Sequence, residues 1–542
     1  MEGNLANEGA VESGARTAEL VTASPALAKN FLRRSVFKSG KRVFNLTSNL
    51  DRFSFCHYYF TRIKPSRKQP SKRGLMPADE VFFGRKENIK AISNFFNSDK
   101  DAAALIYGRR RVGKTELIKH CLKKTPTTSI YYECKETSEI NNVKSFSEII
   151  AETFSLPPLA FDSFESTLAF LYKHAVEKEL IVVIDEYPYI RKVVEGLDSI
   201  IQSFVDNNKT SSKLKLILCG SYVETMKSLL SEENPLFGRF DLVMNLKAMD
   251  YYESALFYKD FSDEDKVRLY SVFGGIPYYN RRIDSSKTVK QNIIDLIASS
   301  DSRFENEVQM HLKSEISKMQ NAYEVFEALS KGFIRFKDIL SQSQVSSSPT
   351  LVDVLDKLIK MDVVVKESPI NDENNKKKAG YYISDQLTLF YFKYIYRNLS
   401  RLAVMDSEVF YDKFIEPDFE EHYVPQAFEQ ICRQFLIRKN RSGKLADSFE
   451  NIGKYWYDDP VNHKNGEFDV VTENKGSYIF YETKFREDKL DTNLIWNEIQ
   501  QVNNTGLICS KYGFFSKSGY KKIDETHMKQ LILYRLEDLY RE

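Results

Sequence analysis

Cysteine is scarce and badly placed for chemistry: six occur in 542 residues, none spaced as CxxC and none clustered with the seven histidines. That argues against a zinc knuckle and a disulfide scaffold, and makes a reducing, cytoplasmic compartment the expectation. Long apolar runs are missing too. Nothing approaches the roughly 18 uninterrupted apolar residues that span a bilayer, so no membrane partner is expected. A large charge excess is also lacking, at a net +2 overall. The charge is uneven, however. Residues 1–28 hold four Glu and one Arg, Lys29 to Arg73 hold 13 Lys/Arg against one acid (Asp51), and Gly74 onward comes to −7. Bulk charge therefore makes no case for nucleic-acid binding by the folded body. What remains is an ordinary globular composition, 42% hydrophobic and 28% charged. The length suggests about three or four domains.

Residues 1–75 read as a disordered basic leader, polar and weakly periodic. The early acids Glu2, Glu8, Glu12 and Glu19 argue against an organelle transit peptide, and no apolar segment suits a secretory signal. Met76 directly precedes the patterned part, which admits an over-extended reading frame. From there short apolar runs alternate with helix-like stretches: Ala102–Tyr107, Ser129–Cys134, Leu180–Ile184, Leu214–Cys219 and Leu242–Leu246. Runs with so little polar alternation predict strands buried on both faces, hence an α/β fold with a doubly wound parallel sheet over 76–248. A helical lid is expected over 249–305. Helix-like segments and then Val363–Glu367 and Gly380–Ser384, joined by the polar stretch Asn371–Lys378, predict a winged helix over 306–400. A separate α/β domain is expected over 415–542.

Gly108-Arg109-Arg110-Arg111-Val112-Gly113-Lys114-Thr115 fits GxxxxGK[ST], between an expected strand and an expected helix. Glycines let backbone N–H groups turn inward on phosphate oxygens, and the helix N-terminus adds partial positive charge. Lys114 would reach the β- and γ-phosphates, and Thr115 would offer its hydroxyl to Mg²⁺. Leu180–Ile184 followed by Asp185-Glu186 delivers two acids at the carboxyl end of a strand, where ligands gather in open α/β sheets. Asp185 would complete the Mg²⁺ shell and Glu186 would polarise the attacking water. ATP and Mg²⁺ are thus the expected cofactors.

With these motifs in place the chain resembles the archaeal-type P-loop ATPases of the STAND/AAA-like group, over about residues 80–540. The resemblance implies several further roles. Phe83-Gly84-Arg85-Lys86-Glu87 matches the box that meets base and ribose. Ser221, after Leu218-Cys219-Gly220, would sense the γ-phosphate. Arg239, after Gly238, would be an arginine finger, which implies a homo-oligomer if a neighbouring copy receives it. Gly274-Gly275-Ile276-Pro277 matches a turn that closes over the nucleotide. The residues leave plainer alternatives open: Ser221 as a helix cap, Arg239 paired with Asp241 or Glu233, and the glycines as helix breakers.

Near the C-terminus, Gly466–Glu473 and Tyr478–Phe485 read as a hairpin turning at Asn474–Ser477. Side-chain alternation puts Glu482 and Lys484 on one face, with Asp469 near Glu482 across the hairpin. Glu429 lies on an upstream helix, and Gln500 and Gln501 on a downstream one. Glu, Asp and Glu-x-Lys form the pattern of the PD-(D/E)xK nuclease fold, in which Asp469 and Glu482 would hold a divalent cation and Lys484 would help activate water. The region also resembles the uncharacterised C-terminal domain that follows archaeal-type ATPases. It departs from the pattern at Phe468, which stands where a proline precedes the Asp. Within the expected winged helix, Ser346–Met361 sets only Lys357 and Lys360 against Asp353 and Asp356, which favours packing on the nucleotide module over DNA reading. Three functions follow: an ATP-driven machine acting on nucleic acid, a regulatory switch whose C-terminal domain binds a protein partner, or an ATPase that remodels another protein.

Overall fold

The computed structural model describes residues 81–98, 102–304, 308, 321–375, 377–459, 464–507, 509–523 and 529–541. The basic leader expected over 1–75 lies outside them, as do most of residues 305–320 at the start of the expected winged helix.

Strands β1 (Ala102–Tyr107), β2 (Thr128–Glu133), β3 (Leu180–Asp185), β4 (Leu214–Gly220) and β5 (Leu242–Asn245) form a parallel sheet in the order β2-β3-β4-β1-β5. All residues of β1, β3 and β4 are buried. Their alternation separates two cores. Ala102, Ala104 and Ile106 join one apolar cluster while Ala103, Leu105 and Tyr107 join the other. Each apolar run thus packs helices on both faces of the sheet. β2 lies at the sheet edge and is only half-buried, reading exposed and buried in turn.

Short helices follow: Tyr251–Ala255, Asp263–Phe273, Pro277–Asn280 and Val289–Leu296. The turn before Pro277 approaches the end of the sheet closely. Met249 N donates to Gly275 O at 2.8 Å, and a Cβ on Gly275 would come within 1.8 Å of Met249 O, so only glycine fits. Next come helices Ala322–Ser330, Phe336–Gln342 and Ser348–Lys360, then an antiparallel ribbon of β6 (Val364–Glu367) and β7 (Gly380–Ile383).

The C-terminal part is a mixed sheet, β8 (Asn451–Asp459), β9 (Lys464–Asn474), β10 (Ser477–Lys484), β11 (Lys511–Ser516) and β12 (Leu531–Arg535), in the order β12-β11-β10-β9-β8. β8 to β10 pair antiparallel; β10 to β12 pair parallel. Alternation again assigns the faces. Val470, Ile479, Tyr481 and Phe515 pack with helix Val424–Arg441, while Val471, Phe480 and Phe514 pack with helix Thr492–Asn504. The loop between β6 and β7 docks on this sheet: Ile370 N donates to Lys454 O at 2.8 Å, and Trp456 N donates to Asn371 Oδ1 at 3.0 Å. No helix among the described residues is long and apolar enough to cross a membrane.

Candidate functional site

The phosphate loop leaves β1 and enters helix Lys114–Leu122. Gly108 passes under the carbonyl of Leu246, which a Cβ would meet at 2.3 Å. Gly113 takes a φ of 94° as it enters the helix. Its nearest outside neighbour is Pro277, 3.8 Å from where a Cβ would stand, so the Gly274–Pro277 turn covers the loop. Arg85 is buried and donates from Nη2 to Val112 O at 3.0 Å, while its own N–H donates to Glu253 Oε1 at 2.6 Å. A Cβ on Gly84 would meet the same Glu253 carboxylate at 2.9 Å. The expected base-and-ribose box therefore braces the loop directly.

At the carboxyl ends of β3 and β4 the acids and the lysine converge. Lys114 Nζ donates to Gly108 O (2.8 Å), Arg109 O (3.1 Å) and Ser221 Oγ (2.9 Å). Ser221 in turn donates from Oγ to Glu186 Oε1 at 2.7 Å and from N to Glu186 Oε2 at 3.3 Å. Ser221 is not a helix cap: the following helix, Val223–Ser228, has no side-chain cap. Thr115 Oγ1 donates to Asp185 Oδ2 at 2.8 Å. Two facing oxygens of this kind suit Mg²⁺, a hard cation that keeps most of its water and takes few protein ligands. Burial works against the Asp185 carboxylate, yet hydrogen bonds from Tyr131, Cys219, Thr115 and the Glu186 N–H hold its pKa below the ordinary value. Tyr131, on edge strand β2, belongs to no motif, and its hydroxyl donates to Asp185. Only the β2–β3 pairing could have revealed it.

The three loop arginines reach groups outside the loop. Arg109 Nη2 lies 4.0 Å from Asp385, just after β7. Arg110 donates to Tyr189 OH at 3.3 Å, and Arg111 stacks over Tyr278 at 4.2 Å.

Arg239 is not brought to this cluster. It pairs with Asp206 at 2.9 Å, not with Asp241 or Glu233. Asp241 N donates to Ala103 O at 2.8 Å, near the amino end of β1, whereas the phosphate loop follows Tyr107. Four strand residues separate these levels, about 13 Å. Arg239 therefore lies toward the amino ends of the strands, away from the phosphate loop.

In the C-terminal sheet, the β9–β10 ladder ends at Val470 with Tyr481, and Asp469 and Glu482 follow directly and lie near enough to repel each other. Glu429 stands on helix Val424–Arg441 against them. Burial first, then the Asp469 and Glu482 carboxylates, push its pKa up to about 8. Burial also raises Glu482. Two groups that no motif marked complete the cluster. Lys454 on β8 donates to Asp469 Oδ1 at 2.6 Å. Glu498 on helix Thr492–Asn504 meets Lys484 at 2.9 Å, and Lys484 also pairs with Glu482 at 2.6 Å. Of the two glutamines expected on this helix, Gln501 donates to Tyr457 OH at 2.8 Å and not to the cluster. The carboxylates thus carry lysines. Among the described residues no group of three or more His, Cys, Asp or Glu is arranged to hold a metal.

Comparison with known proteins finds two family matches along the chain. Residues 82–283 match the family described as an ATPase domain predominantly from Archaea, and residues 391–496 match a family of archaeal and bacterial proteins of unknown function. An uncharacterised protein of Methanocaldococcus jannaschii is 28% identical over 464 residues, which cover 84% of this chain and 100% of that protein. An uncharacterised ATP-binding protein of the same organism is 24% identical over 250 residues, covering 36% of this chain and 67% of the relative. Among solved structures, a Walker-type ATPase of Pyrococcus abyssi aligns with 59% of this chain and 99% of its own, at 20% identity and a TM-score of 0.46.

Proposed function

We propose, for a chain with an archaeal-type ATPase domain followed by that C-terminal domain of unknown function, that ATP·Mg²⁺ is hydrolysed at the phosphate loop and that this drives a nuclease-like domain acting on nucleic acid. The observation that carries the nucleotide half is the linked set Lys114–Ser221–Glu186 beside Thr115–Asp185. Mg²⁺, held between Thr115 and Asp185, would neutralise charge on the β- and γ-phosphates. Lys114 would exchange its bonds to Gly108 O and Arg109 O for phosphate oxygens. Ser221 stands between Lys114 and Glu186, so it is placed to report the terminal phosphate to the carboxylate. Glu186, once released from Ser221, would take a proton from the attacking water.

The helices Ala322–Ser330, Phe336–Gln342 and Ser348–Lys360 with the β6–β7 ribbon read as a winged helix that transmits nucleotide state. Asp362 at its base accepts Lys227 Nζ at 3.1 Å and Lys247 Nζ at 2.6 Å, both from the ATPase domain. Lys357, on its third helix, is paired with its own Asp353 at 2.7 Å, which supports packing over DNA reading.

A second reading is a regulatory switch with an inactive C-terminal domain that binds a protein partner. The lysines already seated on Asp469 and Glu482 favour it. A cleavage assay with Mg²⁺ or Mn²⁺ on DNA and RNA, with and without ATP, separates the two. Cleavage lost in both Asp469→Ala and Glu482→Ala, with ATP turnover kept, supports the nuclease. Absence of cleavage under every condition leaves the switch.

A further inference from the structure

The parallel register of β2 and β3 sets Tyr131 beside Val183, two residues short of Asp185. Paired residues, and residues two apart on a strand, share a face, so Tyr131 and Asp185 lie on the same side of the sheet. That is the side of helix Lys114–Leu122. Val183, Leu117 and Cys121 belong to one apolar cluster, and the Tyr131 ring packs against it. Lys119 Nζ lies over the ring, 4.7 Å from its centroid, and Lys119 is one helical turn beyond Thr115. The offset to Asp185 is about 7 Å along the strand, a span that a tyrosine covers and a serine or threonine does not. The Tyr131 hydroxyl makes that span and donates to Asp185 Oδ2.

Asp185 is 2% exposed, and both of its carboxylate oxygens are held. Oδ1 accepts the Glu186 N–H at 2.9 Å, and Oδ2 accepts the Thr115 hydroxyl at 2.8 Å as well as that of Tyr131. The Cys219 thiol on β4 adds a weaker bond. Burial opposes the carboxylate, and the Tyr131 bond is the foremost of those that offset it. Mg²⁺ demands near-ideal octahedral geometry, so a carboxylate free to swing holds it poorly. Groups that orient a metal ligand from behind typically change metal affinity by about 10–100-fold. We propose that Tyr131 is a positioning residue of the nucleotide site: through Asp185 it sets the affinity for the divalent cation that accompanies ATP, without touching cation or nucleotide itself. This rests on the reading of the phosphate loop as an ATP·Mg²⁺ site.

The test uses the full chain and two probes. Electron paramagnetic resonance follows Mn²⁺ titrated into the chain loaded with one equivalent of a non-hydrolysable ATP analogue, and gives the metal affinity. Anisotropy of a fluorescent ADP in EDTA gives the nucleotide affinity without metal. Tyr131→Phe keeps the ring and its packing and removes the donor. It should weaken Mn²⁺ binding about tenfold and leave ADP binding within about twofold, which also shows that the variant folds. The Mg²⁺ concentration giving half-maximal ATP turnover should rise by about the same factor, more than kcat falls. Unchanged Mn²⁺ binding in Tyr131→Phe overturns the proposal, as does an equal loss of ADP binding in EDTA, or a fall in kcat that no Mg²⁺ concentration restores. Failure of the ATP·Mg²⁺ reading looks different: the parent chain itself then binds neither ADP nor Mn²⁺ with the analogue.

Discussion

The two polar clusters of this molecule are built in opposite ways. The phosphate site comes from one continuous loop and the adjacent ends of β3 and β4, so neighbouring parallel strands deliver its groups to one edge. The carboxylate cluster draws Glu429, Lys454, Asp469, Glu482 and Glu498 from two helices and three strands. In the first, Lys114 rests on carbonyls of its own loop, bonds that a phosphate readily replaces. In the second, each acid that would hold a cation already holds a lysine. A site made by backbone geometry is prepared for its ligand by the fold alone. A site made by converging side chains satisfies itself when nothing else is bound.

The sharpest way to break that contrast is at the loop. Lys114→Ala should weaken ATP·Mg²⁺ binding by about 100-fold or more, since it removes the cation that the loop carbonyls hold at the phosphate site. Glu186→Gln should keep binding within about threefold and lower turnover by about 10²–10⁴. Isothermal titration and a phosphate-release assay measure the two. Equal binding defects in both variants would show that Glu186 helps hold the nucleotide and does not act on water.

The same contrast explains what was legible in the sequence. Strands β1, β3 and β4 could be located to within a residue because strands buried on both faces show as unbroken apolar runs, whereas β2 and β5, expected to be buried likewise, lie at the sheet edges and are only partly buried. The phosphate loop was legible because its spacing encodes its geometry. Arg239 was read from its position in a pattern, and only the pairing of Asp241 with Ala103 shows which edge of the sheet it occupies. Lys454 was not legible at all. The β8–β9 pairing shifts register between Gly453 and Tyr455, and that irregularity decides which β8 side chain reaches Asp469. Glu498 was missed for a related reason. The choice among Glu498, Gln500 and Gln501 depends on how helix Thr492–Asn504 is rotated against the sheet, which an apolar pattern fixes only coarsely.

A smaller effect tests the lysine's place in the cluster. Lys454→Ala leaves Asp469 without its ion partner beside Glu429, and should destabilise the protein by about 1–2 kcal/mol. Adding Asp469→Ala should recover part of that loss, because the stranded charge goes with its partner. Chemical denaturation of the four proteins of this cycle measures the coupling. Additive losses would mean that the 2.6 Å contact between Lys454 and Asp469 contributes nothing in solution.

A last effect concerns Glu429, and its sign follows from linkage. The folded protein holds the Glu429 proton up to about pH 8, whereas an unfolded chain releases it near the ordinary glutamate value of 4.5. Between those values the folded state binds more protons, so this group's contribution to stability falls as pH rises. Above pH 8 the folded state carries a carboxylate that burial, Asp469 and Glu482 all oppose. Glu429→Gln keeps the shape and removes the ionisation. In EDTA the variant should therefore match the parent below pH 4.5, gain on it steadily through that window, and keep the whole gain above pH 8. Thermal melts across that range check the trend. A constant offset at every pH would mean that Glu429 ionises freely, as an exposed surface acid does, and that the acids of this cluster do not crowd one another.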